Sequence, residues 1–347
     1  MKNITTAGAA LLLTTSMANA GGLDRSGQGI GAIFEDGDYV EFSFGQVTPD
    51  LSGSVAGGAV GSGNIAPSYS QLGAALKTQA TDQLSFAVII DQPYGADVDY
   101  DDTDAGYPLA GSNAQVKTFG ITALGRYAVN DNFSVHGGLR HTTAEGVYDV
   151  TAPAAYTSTY SSDSGLGFVL GGAYERKDIA LRVALTYNSE VDLELDGTAG
   201  DLSTTLPESV NLDFQTGVAA DTLVFGSVRW VGWDGFALSD SLAGDILAYD
   251  DDVITYNIGV GRRINDQLSA SLSVGYEKET GEITGNLGPT DGYLSAQLGA
   301  AYTLDSGVEI SGGVRYAKLG DATTSVIGAE FEDNSALAVG MKVAYNF

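Results

Sequence analysis

Cysteine is absent from the 347 residues. No disulfide can staple the fold, and no thiol can serve as nucleophile or soft metal ligand. Histidine occurs only as His136 and His141. Their odd spacing puts them on opposite faces of a strand, so they do not suit a shared metal. Basic residues are scarce, 16 Lys and Arg against 44 Asp and Glu, for a net charge of −28. Such a chain repels phosphates, which argues against a nucleic-acid partner. Long apolar runs are missing too: nothing approaches the roughly 18 residues a membrane helix needs, and mean hydropathy is +0.03. There is no His-Glu-x-x-His, no Gly-x-Ser-x-Gly and no Walker loop. Gly27-Gln-Gly-Ile-Gly31 copies part of a dinucleotide fingerprint, but without the strand before it or the helix after it. Neither an enzyme nor a cofactor nor a metal site is expected.

What is present is glycine, 47 residues of it, and period-2 alternation. The last seven residues show the pattern: Met341, Val343, Tyr345 and Phe347 share one face, Lys342, Ala344 and Asn346 the other. A soluble domain has little reason to finish on an exposed Phe, whereas the closing strand of an outer-membrane barrel sits in lipid with its final aromatic at the interface. Such a strand is also the expected contact for barrel-assembly machinery. At the other end, Lys2, the small and apolar residues 7–17, and Ala18-Asn19-Ala20 read as a secretory signal over residues 1–20, with a mature start at Gly21.

Alternation predicts strands near 38–47, 68–79, 83–93, 115–129, 133–145, 165–176 and 180–195. It continues near 208–219, 222–236, 252–264, 267–280, 292–303, 307–318 and 336–347. The even total of fourteen suits a closed antiparallel transmembrane β-barrel spanning residues 38–347 as one domain. Short turns such as Ala80-Thr-Asp82 and Asn130-Asp-Asn132 alternate with long polar loops such as 94–114 and 146–164. Short turns are periplasmic in such barrels and long loops external, so both termini fall on the periplasmic side. Tyr127, Tyr174, Tyr302 and Tyr345 cluster toward the short turns, and Tyr187, Trp230, Tyr276 and Tyr316 toward the long loops. Two aromatic belts at two interfaces are expected of rings in a membrane.

One face of these strands is apolar: Phe86, Val88 and Ile90; Leu181, Val183 and Leu185; Leu268, Ala270, Leu272 and Val274. The opposite face carries Arg126, His136, Arg140, Arg182, Arg229, Arg263, Arg315 and Lys342. An Arg in lipid near the midplane costs about 2–4 kcal/mol, so these point inward. Either they pair with inward Asp213, Glu175, Glu277 and Glu309, or some of them hold an anionic group. Arg suits bidentate capture of a carboxylate, and Arg126, Arg140, Arg182 and Arg229 are the candidates.

A fourteen-stranded barrel is too wide for its wall side chains to fill, so it is an open pore or plugged. Residues 21–37 are glycine-rich yet keep Leu23, Ile30, Ile33 and Phe34, more apolar content than a free tail retains. They read as a short plug in the lumen, with Leu23, Arg25, Ile30 and Phe34 as its contact residues. Two acidic clusters, Asp97 to Asp104 and Asp250 to Asp252, fall in long loops. They are either solvated loops or bridges through divalent cations to lipid headgroups.

Several segments resemble the FadL family of outer-membrane transporters for long-chain fatty acids and other hydrophobic compounds. They are Gly22-Leu-Asp-Arg-Ser-Gly27 with Phe34-Glu-Asp-Gly37, Thr48-Pro-Asp-Leu-Ser-Gly53, Asn64-Ile-Ala-Pro67 and Gln92-Pro-Tyr-Gly95, followed by Leu185-Thr-Tyr-Asn-Ser-Glu-Val191, Leu206-Pro207-Glu208-Ser209 running on to Phe214, and Arg229-Trp-Val-Gly-Trp233. The resemblance implies a fourteen-stranded barrel with an amino-terminal hatch. It also implies cargo entering from the external loops and leaving through a lateral opening at a kink in the third strand. Here the break would fall at Asp91, Pro93, Tyr94 and Gly95, where Pro cannot donate to a ladder; an ordinary strand end at a long loop is the alternative. Two features depart from the family: the hatch is short and lacks an Asn-Pro-Ala motif, and the external loops lack long apolar helical stretches.

The expected activity is passive uptake of hydrophobic molecules, fatty acids foremost, in the bacterial outer membrane, with that cargo and the membrane lipids as partners. An open porin for small polar or anionic solutes and an adhesive barrel acting through its acidic loops are the alternatives.

Overall fold

The computed structural model describes residues 23–281 and 283–347; the expected signal peptide and its cleavage site lie outside them. Fourteen antiparallel staves close into a barrel. They are β1 (Tyr39–Asp50), β2 (Tyr69–Gln79), β3 (Leu84–Asp91), β4 (Asn113–Ala128), β5 (Phe133–Val150), β6 (Tyr156–Arg176) and β7 (Leu181–Asn188). The second half comprises β8 (Ser209–Ala219), β9 (Thr222–Val231), β10 (Val253–Arg263), β11 (Leu268–Glu277), β12 (Tyr293–Thr303), β13 (Glu309–Leu319) and β14 (Ser335–Asn346). Each pairs with its neighbour in the chain, and β14 closes on β1 from Tyr39↔Asn346 to Asp50↔Ser335. Closure leaves no edge of unpaired backbone in the membrane.

The alternation settles which face meets lipid. On β12, Leu294 and Leu298 are 62% and 65% exposed while Ser295 and Gln297 are buried. An exposed leucine beside a buried serine inverts the soluble rule and fits a wall with lipid outside. Among the described residues no helix is long and apolar enough to cross a membrane; the crossing is made by strands.

At the short-turn end the start of β1 meets the end of β14, Phe347 N donating to Asp38 O at 2.9 Å. At the other end the long loops are folded. Residues Val191–Leu195, Leu202–Leu206, Phe236–Asp240 and Gly244–Tyr249 form a four-stranded sheet. A second sheet joins Ser52–Val55, Val60–Asn64, Glu330–Phe331, Ala322–Thr324 and Ile283–Thr284. Each covers an apolar cluster, one around Leu51, Ile65, Tyr100 and Phe331, the other around Leu193, Leu206, Trp233 and Leu238. Fully burying one such side chain is worth about 1.5–3 kcal/mol, which holds these caps on the barrel.

Three expectations need correcting. The strand expected over 180–195 breaks at Ser189 and Glu190, and Val191–Leu195 leaves the barrel for the cap. The strand expected over 222–236 stops at Val231. Much of the loop expected over 146–164 is a β5–β6 hairpin, paired up to Val150↔Tyr156. The buried face of that hairpin carries Ser158 and Tyr160, whose hydroxyls are hydrogen-bonded, so no run of apolar alternation marks it.

Candidate functional site

The third stave is broken. β3 pairs with β4 as far as Asp91↔Gly120, and pairing resumes at Gly95↔Lys117 in the short strand Gly95–Asp99. Gln92, Pro93 and Tyr94 therefore stand opposite only Phe119 and Thr118. Pro93 has no N–H to give, and the Thr118 hydroxyl repairs the ladder, accepting from Tyr94 N at 2.8 Å and donating to Tyr94 O at 2.6 Å. On the other side, β2 pairs with β3 only to Ala74↔Ile90, whereas its pairing with β1 continues to Tyr69. Residues 69–73 thus face a gap in the wall. The Gln92 side chain reaches across it, its Oε1 accepting from Leu72 N at 3.0 Å, and the Arg25 guanidinium, bonded to Gly95 O, lies 4.1 Å from the Tyr69 ring centroid.

A cavity of about 140 Å³ occupies this gap, lined by Phe44, Leu72 and Ile90 toward lipid and by Ser26, Gln71 and Asp91 toward the lumen. It shares Gly29, Glu41, Ile89 and Lys342 with a second cavity of about 140 Å³ that also touches Arg182 and Asp213. Phe34 and Glu35 then separate this space from a mouth of about 710 Å³ at the short-turn end.

Residues 23–37 lie against the broken stave. Arg25 N donates to Pro93 O at 2.8 Å, Gly95 N to Leu23 O at 2.8 Å, and Arg25 Nε to Gly95 O at 3.0 Å. A Cβ at Gly95 would sit 2.8 Å from the Arg25 guanidinium and would have to push it aside. Ser26 Oγ donates to Asp91 Oδ2 at 2.7 Å. Across the lumen, Asp24 takes Arg229 in a two-pronged ion pair. Farther along, Ile30, Ile33 and Phe34 pack on Ala75, Ala87, Ala173 and Ala184, wall positions kept small enough to receive them. The Phe34 ring has the Arg126 and Arg182 guanidinium carbons each 4.9 Å from its centroid, within cation–π range. Burial pushes the Glu35 carboxyl up to about 7; Lys342 and Arg182 oppose the shift, while Glu41 and Glu309 add to it.

The four candidate arginines therefore have different fates. Arg126 is ion-paired with Glu175 and packed on Phe34. Arg182 lies over Phe34 beside the cavity that Asp213 also lines. Arg229 is saturated by Asp24, Ser209, Asn211 and Gln28. Arg140 is different. Its side chain is 3% exposed, and Nε, Nη1 and Nη2 have no hydrogen-bond partner among the described residues. Its ion-pair contact is Asp91 Oδ2 at 3.9 Å, beyond hydrogen-bond reach, and that oxygen already accepts from Ser26. Asp91 Oδ1 and the hydroxyl of Thr122, the cross-strand partner of Arg140, are likewise unpartnered. Of the site residues expected from sequence, Arg25, Asp91, Pro93, Tyr94 and Gly95 come together; Leu23 packs with Tyr94, and Ile30 and Phe34 lie deeper.

Sequence reasoning missed Asp24, Ser26, Gln28, Thr118 and Gly120. Gly120 carried a legible signal, since glycine inside a strand marks close approach; a Cβ there would lie 2.6 Å from Asp91 Oδ1. The acidic loop residues serve turns: Asp104 Oδ2 accepts from Gly61 N, and Asp252 Oδ2 from Trp230 Nε1. Among the described residues no acidic group is arranged to hold a metal.

Residues 36–347 match the family model described as outer membrane protein transport protein (OMPP1/FadL/TodX). No curated protein matches. Among solved structures, a FadL homologue of Pseudomonas aeruginosa is similar over 100% of this chain and 99% of its own, at 15% identity and a TM-score of 0.78. The toluene transporter TodX of P. putida is similar over 91% of each chain, at 13% identity and a TM-score of 0.69. The CymD monoaromatic hydrocarbon channel is similar over 95% and 99%, at 14% identity and a TM-score of 0.63. At these identities the likeness establishes the fold.

Proposed function

The chain belongs to the OMPP1/FadL/TodX family of outer-membrane transport proteins, and from that premise we propose how it selects and releases its cargo. It is a bacterial outer-membrane channel for hydrophobic molecules and not an enzyme, and the family does not favour the open-porin alternative. The cargo is a long-chain fatty acid or a related amphipathic anion. Its tail travels along the apolar clusters around Trp233 and around Ile33 inside the barrel, where each methylene taken out of water contributes about 0.8 kcal/mol. Its carboxylate is held at Arg140 and leaves last. Residues 21–37 act as the hatch, and release is sideways, between β2 and the broken β3, into the lipid that surrounds the barrel. The terminal strand would engage the barrel-assembly machinery.

The observation that carries this reading is the buried Arg140 guanidinium beside the break, which has Asp91 Oδ2 at 3.9 Å but no hydrogen bond to any of its three nitrogens among the described residues. Buried donors without an acceptor are costly, and a carboxylate fits the planar guanidinium fork. The test is uptake of radiolabelled oleate and of neutral oleyl alcohol by cells carrying the wild type or Arg140→Ala. A lost charged hydrogen bond of about 1.5–3 kcal/mol predicts at least a roughly tenfold drop for oleate, with the alcohol unaffected. Unchanged oleate uptake, or equal losses for both, overturns the assignment.

A further inference from the structure

Trp233 sits at the long-loop side of the break and is fully buried. It follows β9 directly, in a turn where Phe236 N donates to Trp233 O at 2.9 Å and Gly235 takes φ +77°. The turn aims the indole into the lumen cluster. There Tyr94, the last residue of the break, meets it edge to face at 5.7 Å, Phe236 at 4.8 Å and Tyr249 at 5.2 Å. Leu23, Leu206 and Leu247 belong to the same cluster. Within this apolar box the Trp233 Nε1–H has no hydrogen-bond partner among the described residues. A buried donor without an acceptor is penalised, and Trp normally finds one when buried. The neighbouring Trp230 does so, donating to Asp252.

Gly285 and Gly288 lie over Leu247 and Tyr249, an added Cβ falling 3.6 Å from the leucine and 3.5 Å from the tyrosine hydroxyl. The box is packed shut, so a ligand enters it by displacing these two side chains. A flat molecule taking their place lies against aromatic faces with one donor directed at it.

We propose that Trp233 is a specificity-determining residue, and that the box around it binds apolar molecules carrying one hydrogen-bond-accepting oxygen. Cargo that stacks among the rings and accepts from the Trp233 Nε1–H is preferred over plain hydrocarbon of the same shape. The inference rests on the reading that hydrophobic cargo passes through this lumen. It adds a station nearer the long loops than Arg140 and independent of cargo charge.

The test uses the full chain labelled with ¹⁵N-tryptophan in detergent micelles. Its two indole resonances are assigned with Trp230→Phe, and the probes are acetophenone and isopropylbenzene, which differ in shape by little and in accepting oxygen entirely. Acetophenone should move the Trp233 indole proton downfield saturably and bind about tenfold more tightly than isopropylbenzene. In Trp233→Phe the two probes should bind alike. A Trp233 resonance that stays put while acetophenone saturates, absence of saturable binding, or a preference that survives in Trp233→Phe overturns the proposal. The wild-type resonance decides the matter even if the variant fails to fold. Fatty-acid uptake is scored separately, so a barrel that transports but leaves Trp233 unmoved refutes the box alone.

Discussion

Asp24 and Arg229 lie 205 residues apart and meet in a two-pronged ion pair inside the barrel, Nε to Oδ2 at 2.6 Å and Nη2 to Oδ1 at 3.1 Å. Both side chains are at most 10% exposed. The pair ties the amino-terminal segment to β9, on the side of the lumen away from the break. Removing one partner leaves the other charge buried alone, a change that costs about 3–5 kcal/mol. Asp24→Ala should therefore undock residues 23–37, seen as new protease cleavage in that segment of an otherwise resistant barrel. Protection equal to wild type would show that the ion pair does not hold the segment.

Gly120 leaves the space into which Asp91 turns, and Asp91 accepts from Ser26. Gly120→Val should displace the Asp91 carboxylate, lower oleate uptake and leave the heat-modifiable mobility of the barrel unchanged. Full uptake in that variant would detach Asp91 from the transport step.

Phe34, held between two guanidinium groups, divides the cavity beside the wall gap from the mouth at the short-turn end. Phe34→Ala should join them, so single-channel recordings should resolve ion steps absent from the wild type. Phe34→Trp, which keeps a ring between the arginines, should stay closed.

Glu35 gives a pH dependence whose sign follows from its environment. Its carboxyl is pushed up to about 7 when the segment is docked, above the value of about 4.3 expected when it is free. The docked form binds the proton more tightly, so docking is favoured below the free value and weakens as pH rises through 7. Hydrogen exchange across residues 31–37 should be slower at pH 5.5 than at pH 8 after correction for intrinsic rates. Glu35→Gln should flatten the difference; a wild-type profile already flat would remove Glu35 as its cause.

The barrel was legible in sequence because lipid imposes a strict rule on one face. Phe86, Val88, Leu272 and Val274 alternate with small or polar residues, and the lipid face repeats around the wall. At the third stave the residues left two readings open, a break or an ordinary strand end, because Pro93 and Gly95 are chemically unsuited to a ladder in either case; the resumption of pairing at Gly95 was not legible. In the cap one strand face packs on an apolar cluster, so Val191, Leu193 and Leu195 keep the alternation of the barrel and were read as strand continuation, while Gly244–Tyr249 was read as part of a loop. The fates of the arginines were illegible for another reason. Arg140 and Arg229 occupy the same kind of inward position, and only contacts far apart in sequence leave one saturated and the other without a hydrogen bond.

Sideways release is the central claim, and the gap between β2 and the broken β3 is where it is most directly tested. The chain has no cysteine, so Leu72→Cys and Gln92→Cys place the only two thiols on either side of that gap. Bridging them with a short cleavable bis-maleimide should abolish oleate uptake, and cleaving the bridge should restore it. Undiminished uptake with the bridge in place would contradict lateral release and direct the cargo past Phe34 to the periplasmic mouth.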